Sequence, residues 1–290
     1  MLNRIITGLI LAGFFVFLLG LTDIVPFNPF LLALVFSLIS IQAYNEWLTV
    51  SQVGKQDKYM LLALLVFFMF IFILFFSSHT YIVIINSISL IFWDIILIDL
   101  IFNFQITKNI IKKGSNLLGL VMILFTWFLL ISFASTSTAS VTNANNYLLF
   151  SHTEVSNLNY YYIFLISLIS MTDISAYFVG RNFGNKLLCQ SISPKKTIEG
   201  LIASILIPLF ISYLIFTYYL SMPILVSVSN IIFMVLCCIF CTVGDLFISV
   251  FKRHHNVKDT GNILPGHGGL LDRIDSYLPV VAIIQFWLFL

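Results

Sequence analysis

The stretch of the sequence richest in chemically active residues runs from Ser249 to Asp275 and reads SVFKRHHNVKDTGNILPGHGGLLDRID. It concentrates cations, carboxylates and glycines in a chain of 290 residues in which charged residues make up only 9%. Glycines let backbone amides approach a phosphate closely, and cationic side chains neutralise its charge. The stretch therefore predicts a polyanion site, to which these residues contribute: Lys252, Arg253, Lys258, Asp259, His267, Gly268, Gly269 and Arg273.

Two carboxylates lie inside apolar segments at matching depths. Asp173 precedes Arg181 by eight residues and Asp245 precedes Lys252 by seven. At ~1.5 Å per helical residue, both lie about 10–12 Å inside the segment end. Burying an aspartate in a membrane costs about 2.5–3.5 kcal/mol, so such residues usually face a cavity, a partner or an ion. The alternative is a polar contact that packs two helices together.

The last apolar segment carries two further acids. Only fifteen residues follow Asp275, about 22 Å of helix, which is too short to cross a bilayer. The last helix must therefore begin near Leu270, which places Asp272 and Asp275 on one face of its first two turns. Paired acids at this spacing, with Asp245 at similar depth, can share a divalent cation, and oxygen-only ligands favour Mg²⁺. The alternative is compensation of the helix dipole.

A second group of cations precedes another apolar segment. Ser193 is placed to cap a helix, Pro194 suits its first position, and Lys195, Lys196 and Thr197 follow. Two lysines in a first turn oppose the helix dipole by about 0.3–1 kcal/mol each, which is understandable if an anion binds there. Phosphate is the natural candidate. The alternative is simple anchoring of the chain at the membrane surface.

The elements that must position these residues are apolar helices. Hydrophobic residues make up 60% of the chain, far more than one soluble core could hide, which indicates an all-α, polytopic integral membrane protein. The first apolar run has no small-residue cleavage site, so we interpret it as a retained span rather than a signal peptide. Nine runs are long enough to cross, near residues 5–22, 28–45, 59–77, 80–102, 117–135, 161–180, 200–220, 224–251 and 270–290.

All 14 Lys and Arg residues lie on one side of such a nine-span arrangement. Because cations are retained on the cytoplasmic side, we predict a cytoplasmic N-terminus, an external C-terminus and a cytoplasmic site in the cell's inner membrane. The net charge of +2 gives no reason to expect a nucleic-acid partner. The cations are Arg4, Lys55, Lys58, Lys108, Lys112, Lys113, Arg181, Lys186, Lys195, Lys196, Lys252, Arg253, Lys258 and Arg273.

Together these residues resemble a known family signature. The string S-x-F-K-R-x4-K-D-x-G-x3-P-G-H-G-G-L-x-D-R-I-D over 249–275 is similar to that of phosphatidate cytidylyltransferases, also called CDP-diacylglycerol synthases. The segments DISAYFVG (173–180), SPKKTIEG (193–200) and Gly244-Asp245 also resemble family blocks, in the same order. We expect one membrane domain over 1–290, with N-terminal helices of unassigned role in 1–135 and catalytic helices and cytoplasmic loops in 161–290.

The resemblance implies an enzyme that joins CTP to phosphatidic acid within the lipid bilayer, giving CDP-diacylglycerol and pyrophosphate. It also implies Mg²⁺ dependence with a second, monovalent cation, and a homodimer. It places metal on Asp245, Asp272 and Asp275. We further expect Asp173 to complete the cavity and phosphate charge to be neutralised by Lys195, Lys196, Lys252, Arg253 and Lys258. Alternatives are a related enzyme that uses an isoprenoid lipid, and an ion-coupled transporter. No role is predicted for Asp94 and Asp99 in the fourth span.

Overall fold

The structure, a computed structural model, describes residues 29–75, 79–102, 104–139, 159–189, 192–214, 228–263 and 268–289. The predicted first span, Arg4, His267 and residues 140–158 lie outside the described residues. The elements are α1 (Pro29–Val50), α2 (Lys55–Phe75), α3 (His79–Ile101), α4 (Gln105–Ala139), α5 (Asn159–Phe183), β1 (Leu187–Cys189), β2 (Ser193–Thr197), α6 (Ile198–Leu214), α7 (Val228–His254), α8 (Leu271–Ile274) and α9 (Tyr277–Phe289).

The helical, polytopic architecture predicted from the apolar runs is confirmed. Each predicted span from 28–45 onward overlaps a helix, because a long apolar run satisfies its backbone groups internally only as a helix. Among the described residues, five helices are long and apolar enough to cross a membrane: Phe30–Val50, Lys55–Phe75, Thr80–Leu100, Gln105–Ser132 and Val228–His254. The count of nine spans and the sides of the two termini remain predictions.

Large apolar side chains cover the outer faces of the helices. On α2, for example, Phe67, Phe70 and Ile73 are each more than half exposed. A contiguous apolar surface of this kind would be unfavourable in water, whereas lipid solvates it without cost. The outer surface therefore agrees with a bilayer environment.

Helix α7 lies at the centre of the bundle. It contacts α3, α4, α5, α6 and α9, and its buried side chains extend from Asn230 to Phe251. Phe247 is fully buried and meets the ring of Trp93 edge-on, with ring centroids 5.5 Å apart. Because α7 is enclosed by five helices, residues at its C-terminal end are held on a rigid support.

Helix α1 joins α7 to a kink in α4. The backbone of α4 leaves helical geometry at Gly114 (φ −156°, ψ 39°). Just beyond the kink, the carbonyls of Ser115 and Asn116 accept hydrogen bonds from Trp47 Nε1 (2.9 Å) and Tyr44 Oη (3.1 Å). The Trp47 ring stacks on Phe251 of α7, with ring centroids 3.6 Å apart. The end of α1 is therefore fixed between two other helices.

The helix start predicted at Ser193 is wrong. Residues Ser193–Thr197 form strand β2, which pairs antiparallel with β1 through Leu187 opposite Thr197 and Cys189 opposite Ser193. Helix α6 begins only at Ile198, where Thr197 Oγ1 accepts a hydrogen bond from the Gly200 amide (3.1 Å), as an N-cap does. The lysines therefore precede the helix, and the predicted conflict with its dipole does not arise.

The first turn of α6 carries an acid rather than a cation. The Glu199 carboxylate accepts hydrogen bonds from the Lys186 amide at 3.2 and 3.3 Å. Hydrogen bonding to its own amide, with smaller contributions from the amides of Asn185 and Lys186, holds the pKa of Glu199 below its ordinary value. Glu199 thus links the start of β1 to the start of α6.

The two aspartates of the fourth predicted span differ from each other. Asp99 is fully buried and accepts hydrogen bonds from the amides of Ile106 (3.0 Å) and Thr107 (2.6 Å) at the start of α4. It therefore holds the turn between α3 and α4. Asp94 is exposed on the outer face of α3.

Candidate functional site

A charged cavity of about 400 Å³ opens between α5, β2, α6, α7 and α8. Acids and bases that are up to a hundred residues apart in the sequence meet on its wall. Of the residues predicted for the site, it is lined by Asp173, Lys195, Lys196, Thr197, Asp245, Lys252, Asp259, Asp272, Arg273 and Asp275.

Asp245 and Lys196 form an ion pair on the cavity wall. Lys196 Nζ lies 2.6 Å from Asp245 Oδ2, and the two side chains are 25% and 33% exposed. Ser249, one turn further along α7, donates a longer hydrogen bond of 3.3 Å to Asp245 Oδ1. The pair connects β2 to α7, and both partners remain accessible from the cavity.

Asp275 lies beside Asp245 because two helices approach closely there. Gly244 faces the backbone carbonyl of Asp275 and the ring of Pro279, and a Cβ on Gly244 would come within 2.9 Å of Pro279 Cδ. Asp275 is buried and its Oδ1 accepts a hydrogen bond from the Ser276 amide (2.8 Å). Glycine at position 244 therefore brings the two carboxylates to the same cavity.

Asp173 reaches the cavity from α5, which packs closely on α6. A Cβ on Gly200 would lie 2.8 Å from the Ala176 carbonyl and 3.3 Å from the Cα of Gly180. Small residues at these positions let the two helix backbones approach, as is common in membranes. This contact places the Lys195–Thr197 strand beside the helix that carries Asp173.

Asp272 also lines the cavity, but its carboxylate already forms an ion pair and hydrogen bonds within the protein. Lys252 Nζ lies 2.6 Å from Oδ1, with the side chains 14% and 8% exposed. Oδ2 accepts hydrogen bonds from the amides of Thr260 (2.8 Å) and Gly269 (3.1 Å). The Gly269 amide, predicted to bind a phosphate, instead donates to Asp272. Asp272 thus organises the loop before α8.

Glu46 of α1 contacts the same loop, and the sequence pattern does not predict this role. It is 3% exposed, and its carboxylate accepts hydrogen bonds from the amides of Leu270 and Leu271, each at 2.9 Å. The sequence feature that could have indicated it is a glutamate within two residues of Tyr44 and Trp47, near the end of an apolar run. The sequence predicts no role for the N-terminal helices and therefore none for Glu46.

Several predicted residues do not line the cavity. Arg253 Nε makes a long hydrogen bond of 3.4 Å to the Ile192 carbonyl, which ties α7 to the turn between β1 and β2. Lys258 is exposed, Ser193 pairs with Cys189 in the sheet, and Gly268 adopts a positive φ of 84° that suits glycine. These residues shape the surroundings of the cavity rather than its wall.

The donor atoms suit a hard cation only in part. Within the described ranges, no three His, Cys, Asp or Glu side chains converge closely enough to hold a metal ion as they stand. Asp173, Asp245 and Asp275 nevertheless offer carboxylate oxygens to one cavity, the ligand type that Mg²⁺ prefers. Asp272 fits less well, because Lys252 and two amides already surround its carboxylate.

The fold and the cavity define an integral membrane protein with a charged site, built from helix ends and the loop before α8. Comparison with known proteins identifies the family to which the chain belongs. The chain belongs to the cytidylyltransferase family, whose family model matches residues 2–290.

Curated relatives match this chain over somewhat less than half of its length. It is 43% identical over 143 residues to a phosphatidate cytidylyltransferase of Bacillus subtilis (strain 168), covering 47% of this chain and 51% of that protein. Proteins of the same name match at 40% identity in Staphylococcus aureus (strain COL; 147 residues, 49% and 54%) and Staphylococcus haemolyticus (strain JCSC1435; 133 residues, 44% and 49%). The chain thus spans about half the length of the curated relatives it matches.

Proposed function

We propose that this chain is a phosphatidate cytidylyltransferase, which transfers CMP from CTP to phosphatidic acid and releases pyrophosphate. The observation that carries the proposal is the single cavity in which acids of α5, α7 and α8 meet lysines of β2 and α7. Family membership supports nucleotide transfer, and the names of the matched relatives support phosphatidate as the acceptor.

The reaction needs charge neutralisation more than it needs a base. An oxygen of the phosphatidate phosphate attacks the α-phosphorus of CTP, and the bond from that phosphorus to the oxygen bridging to the β-phosphate breaks. The electron pair leaves with pyrophosphate. Because the attacking phosphate is already an anion, catalysis rests on positioning and electrostatic stabilisation.

The cations of the cavity are suited to bind two sets of phosphates. Lys195 and Arg273 are exposed side chains on its wall, and Lys196 can exchange its carboxylate partner for a phosphate oxygen. Lys252 also lines the cavity and can contact a phosphate while it stays paired with Asp272. Phosphates prefer such multiple charge-assisted contacts. These four residues are therefore the proposed phosphate-binding groups, whereas Arg253 and Lys258 have at most an indirect role.

The balance of charges supports a divalent cation in addition. The cavity wall carries five carboxylates, from Asp173, Asp245, Asp259, Asp272 and Asp275, against four cationic side chains. Two polyanionic substrates would be repelled unless further positive charge is bound. We propose that Asp245, Asp275 and Asp173 hold Mg²⁺, with Asp272 acting through Lys252. When bound, Mg²⁺ would neutralise phosphate charge.

The proposed orientation follows from the predicted distribution of cations. The site would face the cytoplasm at the inner membrane, where CTP is available, and the lipid substrate would reach the cavity from the bilayer. A homodimer and a second, monovalent cation are expected from the family resemblance. Size-exclusion chromatography with light scattering and replacement of K⁺ by choline would test these two expectations.

The decisive experiment measures pyrophosphate and CDP-diacylglycerol formed by the purified protein in detergent with CTP, phosphatidate and Mg²⁺. We expect both products in equal amounts, and neither product with EDTA. Stronger turnover with a polyprenyl phosphate would overturn phosphatidate as the acceptor. Ion flux in vesicles without any pyrophosphate release would overturn the enzymatic proposal.

A further inference from the structure

Glu46 is a buried carboxylate with a complete set of donors. Besides the amides of Leu270 and Leu271, Thr260 Oγ1 lies 3.0 Å from Oε2 and Gln42 Nε2 lies 3.3 Å from Oε1. A carboxylate that is 3% exposed is stable as an anion only when such hydrogen bonds replace water. The partners Leu270 and Leu271 lie more than 220 residues away in the sequence, so Glu46 connects two distant parts of the chain.

The loop before α8 is shaped around this carboxylate. A Cβ on Gly261 would come within 2.9 Å of Glu46 Oε1. A Cβ on Gly269 would collide with both Glu46 Oε2 and Thr260 Oγ1. Glycines at these two positions therefore permit the close contact between the loop and Glu46.

Thr260 connects Glu46 to Asp272. Its hydroxyl lies 3.0 Å from Glu46 Oε2 and 3.0 Å from Asp272 Oδ2, but it carries only one hydrogen. Asp272 Oδ2 already accepts the amides of Thr260 and Gly269, so the hydroxyl donates to Glu46. The other oxygen of Asp272 then faces Lys252 Nζ at 2.6 Å.

Helix α1 fixes both partners of the Lys252–Asp272 pair. Trp47 stacks on Phe251, the residue directly before Lys252. Glu46 holds the amide of Leu271, the residue directly before Asp272. Two adjacent residues of α1 therefore set the position of an ammonium group on the cavity wall without touching the cavity themselves.

We propose that Glu46 is a positioning residue that acts through the Thr260–Asp272 loop to place the Lys252 ammonium for phosphate binding. This inference rests on the proposed function for its kinetic consequence. Its structural part, that Glu46 holds the loop before α8, stands independently of the substrate.

The test uses Glu46→Gln and a matched control, Asp99→Asn. Each residue is a buried carboxylate that accepts one backbone amide on each oxygen, so either orientation of the new side-chain amide sets an NH₂ group against a backbone N–H. Of these two carboxylates, Glu46 is the one connected to Lys252, through Thr260 and Asp272. Both variants would be combined with Lys252→Gln in full-length protein, and kcat/KM for CTP would be measured.

We expect Glu46→Gln to lower kcat/KM at least about tenfold alone but less than about threefold in the Lys252→Gln background. Asp99→Asn should reduce activity by the same factor in both backgrounds. Full additivity of Glu46→Gln and Lys252→Gln would overturn the positioning role. If Glu46→Gln does not fold, Thr260→Val replaces it, because it keeps the side-chain volume and removes the hydroxyl that donates to Glu46. Thr260→Val must then show the same lack of additivity with Lys252→Gln.

Hydrogen–deuterium exchange separates this inference from the proposed function. In Glu46→Gln the amides of Leu270 and Leu271 should exchange at least about tenfold faster, while Asp99→Asn leaves them protected. If the wild type does not transfer CMP, the proposed function fails but the exchange result still applies. Unchanged protection in Glu46→Gln would overturn the inference even in an active enzyme.

Discussion

Two ion pairs on the described part of the cavity wall, Lys196–Asp245 and Lys252–Asp272, have the same length and different surroundings. Lys196–Asp245 and Lys252–Asp272 both close at 2.6 Å. Asp245 is 33% exposed and has one weak additional partner, whereas Asp272 is 8% exposed and accepts two backbone amides as well. Ligands can reach the Lys196–Asp245 pair, so its partners can be exchanged for a bound group. The Lys252–Asp272 pair is buried and hydrogen-bonded, so it is suited to hold a loop. Distance alone therefore does not identify a reactive group.

The largest effect is expected for Asp245→Asn. It removes a reachable carboxylate charge from the cavity, and we expect kcat/KM to fall about a thousandfold with little change in thermal unfolding temperature. Product formation and unfolding in detergent would be measured together. Asp94→Asn makes the same exchange on the exposed face of α3 and should keep full activity. Substantial activity in Asp245→Asn would remove Asp245 from the site.

Asp272→Asn should lower both activity and stability. It leaves the largely buried Lys252 ammonium without its carboxylate, and breaking such a pair costs about 3–5 kcal/mol. We expect activity to fall about a hundredfold and the unfolding temperature to fall by several degrees, in contrast to Asp245→Asn. Equal unfolding temperatures for the two variants would contradict the distinction between the pairs.

Lys196→Gln should weaken substrate binding more than turnover. The ammonium group is 25% exposed and can leave Asp245 for a phosphate, so its loss should raise the KM for CTP about tenfold. Steady-state kinetics at saturating phosphatidate would separate KM from kcat. Lys196→Arg keeps the charge and should recover most of the affinity. An unchanged KM would show that CTP does not contact this lysine.

The smallest effect is expected for Arg253→Ala. Its guanidinium makes one hydrogen bond of 3.4 Å to the Ile192 carbonyl and does not line the cavity. We expect less than about a threefold loss of kcat/KM, because one weak surface contact is removed. A loss comparable to that of Lys196→Gln would restore the phosphate-neutralising role that the sequence predicts for Arg253.

The sequence predicted the parts of the site that depend on local patterns. The sequence places four acids within or beside apolar runs, and all four line one cavity: Asp173, Asp245, Asp272 and Asp275. Their metal-binding and catalytic roles remain predictions. The apolar runs likewise predicted the helices, since helix formation in lipid follows from composition and length.

The errors concern residues whose conformation depends on the partner with which they pair in the fold. Ser193 and Pro194 resemble a helix start locally, but pairing with Leu187–Cys189 makes this segment a strand. Gly269 resembles part of a phosphate-binding loop, yet its amide donates to Asp272 and its missing side chain makes room for Glu46 and Thr260. In the first case the deciding contact is with the preceding strand, and in the second it includes Glu46 from a distant part of the chain.

From its amino acids alone, this chain can be recognised as a helical membrane protein with acids and cations concentrated near one set of helix ends. Hydrophobicity, charge and spacing are local properties, and they suffice for that. The partner of each carboxylate emerges only when the chain is folded, because a hydrogen bond requires atoms within about 3 Å of each other. Glu46 and Leu271 meet that condition across 225 positions of sequence, and no local pattern records it.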